Sequence, residues 1–157
     1  MSFKKDNMIE YEFFDVTADV GFLAYGVSLE EAYENASKAM FNVISNTSNV
    51  DPVISKNISI VSEDLISLLY DYLDELLFLS ETEFLLFSEF NISITPEDDE
   101  FKLDGVVKGE SINWNKHERG SEVKAVTYHL MDVKEDDICK VRVILDLWFY
   151  NYLCYFF

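Results

Sequence analysis

Glycine and proline are scarce in this 157-residue chain, five and two respectively. That scarcity excludes a linker-like or low-complexity architecture, and nearly half of the residues are apolar, as in a packed globule. Cysteine is equally sparse. Cys139 and Cys154 form no CxxC pair and no zinc-finger spacing. They read as reduced packing thiols of an intracellular, cytoplasmic protein without a signal peptide. Histidine occurs only at 117 and 129, so a multi-histidine zinc site is excluded, and HExxH, GxSxG, phosphate-cradling glycine loops and the D-x-[DN]-x-[DN]-G calcium loop are missing too. No apolar run reaches the roughly 20 residues of a membrane span.

Positive charge is the last shortage. Twelve basic residues face thirty acidic ones, a formal charge of −18. Such a surface repels phosphate backbones and attracts cations or basic partners, so RNA binding over a broad face is not expected. The same acidity also serves solubility alone. What the chain supplies in quantity is carboxylate oxygen, which suits calcium, magnesium or manganese better than zinc or copper.

The length fits one domain over 1–147, followed by an aromatic extension, 148–157. The extension reads as a partner-packing segment, a strand continuation or the product of a shifted reading frame, and its aromatics call for burial. Ser28 and Glu31 form a capping box, after which Leu29, Ala32, Tyr33, Ala36, Met40, Val43 and Ile44 recur at helical spacing. A second helix is expected from near Ser62, with Glu63 and Asp64 in its first turn and Leu65, Ile66, Leu69, Tyr72, Leu73, Leu76 and Leu77 on its apolar stripe. Period-two patterns predict strands around 8–16, 57–61, 90–95, 101–104, 125–131 and 140–147. The expected fold is an α+β two-layer sandwich, a mostly antiparallel sheet with two main helices on one face.

In an extended 13–21 segment, Asp15 and Asp19 would share a face about 13 Å apart, at roughly 3.3 Å per residue, too far for one ion. A metal would need one of them with a ligand from elsewhere. Asp19 also suits a turn or cap before Gly21, and Asp146 an ordinary solvent-facing strand position. Glu110, His117, Lys124 and His129 form a second polar set, suited to acid–base work, phosphate anchoring or a salt bridge at a strand end.

The strings Thr17-Ala18-Asp19-Val20-Gly21, Gly26, Ser28-Leu29-Glu30-Glu31-Ala32, Asp71-Tyr72-Leu73-Asp74-Glu75-Leu76-Leu77, Gly109-Glu110, His117-Glu118, Lys124-Ala125-Val126-Thr127-Tyr128-His129 and Val143-Ile144-Leu145-Asp146-Leu147 together resemble the archease family over roughly residues 10–147. The resemblance implies an α+β accessory protein rather than an enzyme. Its partner would be an RtcB-type, GTP- and manganese-dependent RNA ligase of tRNA splicing, whose guanylylation and turnover it promotes. It further implies a divalent ion, usually calcium, held by Asp19, Asp146 and a main-chain oxygen of Leu147, which antiparallel pairing of two strands with these aspartates on their polar sides would allow, with Glu110, His117, Lys124 and His129 as candidates for ligase activation. Val16 stands where many relatives carry a histidine before TAD, and the chain continues past Leu147, near where relatives finish. Two other classes stay open: a chaperone-like acidic adaptor for RNA-processing proteins, and a metal-dependent hydrolase using His117 or His129 as base.

Overall fold

The computed structural model describes residues 7–148. Seven strands and two long helices follow in the order β1 Tyr11–Val16, β2 Asp19–Gly26, α1 Leu29–Ile44, β3 Ile54–Ser62, α2 Leu65–Glu83, β4 Leu85–Glu97, β5 Glu100–Ser111, β6 Val123–Glu135 and β7 Cys139–Leu147. The expected α+β sandwich is present. All strand pairs are antiparallel, and the strands divide into two sheets, β1-β2-β7-β6 and β3-β5-β4. Each helix bridges both sheets: α1 packs on β2, β7 and β4, and α2 on β6, β3 and β5.

Helix α1 starts as its capping box dictates, the Ser28 side chain accepting from the Glu31 amide at 3.1 Å. Helix α2 starts later than the sequence predicts. Ser62 closes β3 and donates to Asp71 at 2.5 Å, while Asp64 is the cap, accepting from the Ser67 amide at 2.7 Å. Two acidic residues before an apolar run suit either a first turn or a cap, and the cap wins because β3 is still using the backbone at Ser62.

The core lies between helices and sheets and includes Phe22, Tyr33, Met40, Phe41, Leu69, Tyr72, Leu76, Phe87, Leu103, Val143 and Leu145. Its two fully buried tyrosines keep polar partners: the Tyr33 hydroxyl donates to the Leu65 carbonyl, and the Tyr72 hydroxyl lies 3.0 Å from the Ser37 hydroxyl. Burial pushes both phenols above their ordinary range, so they remain neutral donors. The family-like run at 71–77 is thus chiefly a packing element. Cys139 is buried at the start of β7 as expected; Cys154 and the extension beyond Trp148 lie outside the described residues.

Strand β5 runs well past the predicted 101–104. Gly105 and Gly109 interrupt its side-chain pattern, and Gly109 is required by close approach: a Cβ there would overlap the Leu86 carbonyl, where β4 bulges between Phe87 and Glu89. Among the described residues no helix is long and apolar enough to cross a membrane.

Candidate functional site

The segment 13–21 folds back instead of staying extended. Val16 pairs with Asp19, so Thr17 and Ala18 form a two-residue turn and Asp15 lies opposite Val20. Ala18 takes a left-handed φ of 67°, a position that favours glycine or asparagine. The strained turn is the reason Asp15 and Asp19 do not act along one extended edge. It places Asp19 at the start of β2, the strand that pairs with β7.

That pairing sets the geometry. Val20 is opposite Leu145, and the same register continued by one residue sets Asp19 opposite Asp146. The Asp19 carboxylate accepts from the Leu147 amide at 3.4 Å, so the end of β7 is within reach of Asp19. Asp19, Asp146 and Leu147 are each half-buried. On the other side of β7, strand β6 bulges between Val123, opposite Leu147, and Ala125, opposite Asp146, and the bulged residue is Lys124. Three of the expected residues and one activation candidate therefore meet at one sheet end.

The donor set here is two carboxylates with neighbouring main-chain oxygens. Among the described residues no group of three or more His, Cys, Asp or Glu side chains is arranged to hold a metal. A small oxygen-only set fits a hard cation that keeps several waters, and it does not fit zinc. Calcium, or magnesium or manganese, is compatible with the residues present.

The second polar set divides. Glu110 and His117 do meet, at the end of β5, but together with Asp51 and Lys116 rather than with Lys124 and His129. One Glu110 oxygen, Oε1, accepts from the Asp51 amide at 3.0 Å, from Lys116 Nζ at 2.6 Å and from His117 Nε2 at 2.8 Å. Lys116 also donates to Asp51 at 2.7 Å. Hydrogen bonds, the one from Lys116 foremost, hold the Glu110 carboxyl down at about 2.

His117 has a fully buried side chain, and its Nδ1 accepts from the Asn113 amide at 3.0 Å. The ring is therefore the neutral tautomer with its hydrogen on Nε2, given to Glu110. With both nitrogens occupied and no exposure, His117 fixes a turn and has no free atom for a substrate, which removes it as a hydrolytic base. The ion pair at this strand end is Glu110 with Lys116, where the sequence offered Lys124. His129 is exposed in the irregular 128–131 stretch of β6, where Leu130 has a φ of 54°. Lys124 Nζ lies 4.7 Å from the centre of the Trp148 ring.

An α+β two-layer domain with a pair of facing aspartates at the end of its first sheet is the class this geometry defines. The family model of the Archease protein family matches residues 11–147, and the chain belongs to that family. It is similar to protein archease of Methanothermobacter thermautotrophicus, 55% identical over 138 residues covering 87% of this chain and 98% of the relative. Against protein archease of Sulfolobus acidocaldarius the identity is 42%, covering 89% and 100% of the two chains. The solution structure of Methanobacterium thermoautotrophicum protein 1598 superposes with a TM-score of 0.79 at 55% identity, covering 88% of this chain and 99% of that one. An archease from Thermotoga maritima, described as a possible chaperone, shares the fold with a TM-score of 0.55 at 24% identity, covering 85% and 94%.

Proposed function

We propose that this protein is a metal-binding accessory of an RtcB-type tRNA-splicing RNA ligase, which it activates in the cytoplasm by promoting guanylylation and repeated turnover. The observation that carries this reading is the juxtaposition of Asp19 with Asp146 and Leu147 in a chain of the archease family. A divalent cation, calcium foremost, takes carboxylate oxygens from cross-strand neighbours such as these. The ion would be held by Asp19, Asp146 and the Leu147 main-chain oxygen, and would supply positive charge at an otherwise acidic surface.

Asp19 in this scheme does two things: one carboxylate oxygen ties to the Leu147 amide at the β7 end, and the carboxylate keeps further lone pairs that a cation would use. Lys124, held over Trp148 on the neighbouring bulge, is the cation placed to meet a partner's anionic group. A −18 chain would be steered toward the basic surface of an RNA-binding ligase, with an association rate that falls as salt rises. Calcium titration by calorimetry on wild type and Asp146→Asn, paired with RNA sealing by the cognate ligase, tests the reading. Saturable calcium binding and ligase stimulation should both be lost in the variant; stimulation that survives without the carboxylate would sink it.

A chaperone-like adaptor is the second reading, favoured by exposed Phe78, Phe84, Trp114, Tyr128 and Leu130. It predicts suppression of aggregation of unrelated proteins, unaffected by chelator.

A further inference from the structure

Beside the aspartate pair lies an open cleft of about 900 Å³ whose walls include Phe84, Trp114, Arg119, Glu122, Lys124 and Trp148. Both tryptophans of the chain are in it. They are 40% and 49% exposed, and Phe84 is 68% exposed. The Arg119 guanidinium sits 4.4 Å from the centre of the Trp114 ring and the Lys124 ammonium 4.7 Å from that of Trp148. Neither cation forms an ion pair among the described residues, whereas Lys38, Lys56 and Lys116 all do.

Lys108, Lys140 and Arg142 also lack an ion pair among the described residues; what sets Arg119 and Lys124 apart is that each is held on a tryptophan face in one cleft, which gathers positive charge in a chain with thirty acidic residues. Stacking keeps both side chains aimed rather than free, and cations held in that way are receptors for an anion. The exposed rings offer a platform for a planar apolar group. Two carboxylates, Glu81 and Glu122, line the same walls and are chemically suited to accept from N–H donors of a ligand; burial, with Glu122 and Asp74 nearby, pushes the Glu81 carboxyl up. Anion receptor, aromatic platform and N–H acceptor together are the three needs of one ligand class.

We infer that this cleft binds a nucleotide, its phosphate on Arg119 and Lys124 and its base against Trp114 and Phe84, with the base N–H groups turned to the wall carboxylates. The nucleotide comes either free or as the phosphorylated end of an RNA strand. A cleft of this volume admits one such unit, which is compatible with a surface that repels an extended strand. The inference goes beyond the ligase reading because it concerns this chain by itself.

Intrinsic fluorescence reads the cleft directly, since no tryptophan lies elsewhere. The full chain is titrated with GMP, AMP, guanosine, inorganic phosphate and a short RNA ending in a 3′-phosphate, with calorimetry in parallel. Saturable quenching by a nucleotide is expected, with guanosine and phosphate each at least about tenfold weaker, as losing either a stacked base or a charge-assisted contact implies. Arg119→Gln, a surface change that leaves the core untouched, should weaken binding about tenfold, and Trp114→Leu by a similar factor. Binding of the RNA end without binding of mononucleotides supports the site and assigns its source. Absence of saturation by either at millimolar concentration, or an affinity unchanged in Arg119→Gln, overturns the inference. Ligase stimulation retained in Arg119→Gln while nucleotide binding is lost would separate this site from the aspartate pair.

Discussion

Two polar clusters of this protein are built from similar side chains and come out opposite. At the end of β5, Glu110, Lys116, His117 and Asp51 satisfy one another: a single carboxylate oxygen takes three donors and the imidazole uses both nitrogens. At the end of β7, Asp19 lies opposite Asp146 by continuation of the strand register, and Lys124 on the adjacent β6 bulge is held on a tryptophan ring. Carboxylates neutralised inside the fold stabilise it, whereas carboxylates left facing each other await something from outside. The first cluster is thus structural, and under the proposed ligase reading the second is the one open to an ion, although both carry residues of the family-like strings.

Breaking the second cluster should have the largest effect. Asp19→Ala and Asp146→Ala should each lower calcium affinity by at least about 10–100-fold, the range even for weaker perturbations around a metal. Without calcium, the melting temperature should stay near wild type in Asp146→Ala and fall in Asp19→Ala, which gives up the bond to the Leu147 amide. Calorimetry and thermal melts with and without chelator check both statements. A variant that loses stability but keeps calcium affinity would move the function elsewhere.

The first cluster should behave in the reverse way. His117→Ala strands the Asn113 amide and one Glu110 bond in a buried setting, and about 2–3 kcal/mol of stability should go with them. Urea denaturation measures that loss, and ligase stimulation should survive where the variant is still folded.

Acid offers a finer test of the same cluster. Glu110 is held at about 2 against an ordinary 4.5, so its contribution is fully present above pH 4.5 and is lost as pH falls toward 2. Stability followed through that window should decline, and Glu110→Gln should flatten its share of the decline while leaving the profile near neutrality unchanged in shape.

The smallest effect concerns the turn that delivers Asp19. Ala18 already carries the cost of a left-handed backbone, and Ala18→Val adds a β-branched side chain to it, for roughly 1–2 kcal/mol of destabilisation. Ala18→Gly should leave calcium binding intact, which a two-state melt and a calcium titration together verify.

Much of this was readable in the chain, for identifiable reasons. Helix α1 announced both its cap and its stripe, and β7 its alternation, because each element buries one face only. The meeting of Asp19 with Asp146 was foreseeable as an option of antiparallel pairing. The turn was not legible, because neither Thr17 nor Ala18 is a residue that marks a left-handed position. Splitting of the strands into two sheets was hidden as well, since alternation reports which face is buried and says nothing about which neighbour supplies the hydrogen bonds. Proximity in sequence misled for Glu110, His117, Lys124 and His129: Asp51 and Lys116, not Lys124 or His129, complete the first pair. Asp51 reaches Glu110 from far along the chain, a contact that no local pattern encodes.

A ligase that uses the aspartate pair leaves the satisfied cluster dispensable. Single-turnover guanylylation of the cognate RtcB-type ligase should be measured with wild type, Asp19→Asn, Asp146→Asn and His117→Ala at a temperature where all four are folded. The expected result is acceleration by wild type and His117→Ala and none by either aspartate variant. Acceleration by Asp19→Asn and Asp146→Asn equal to wild type, or its loss in His117→Ala alone, would contradict it.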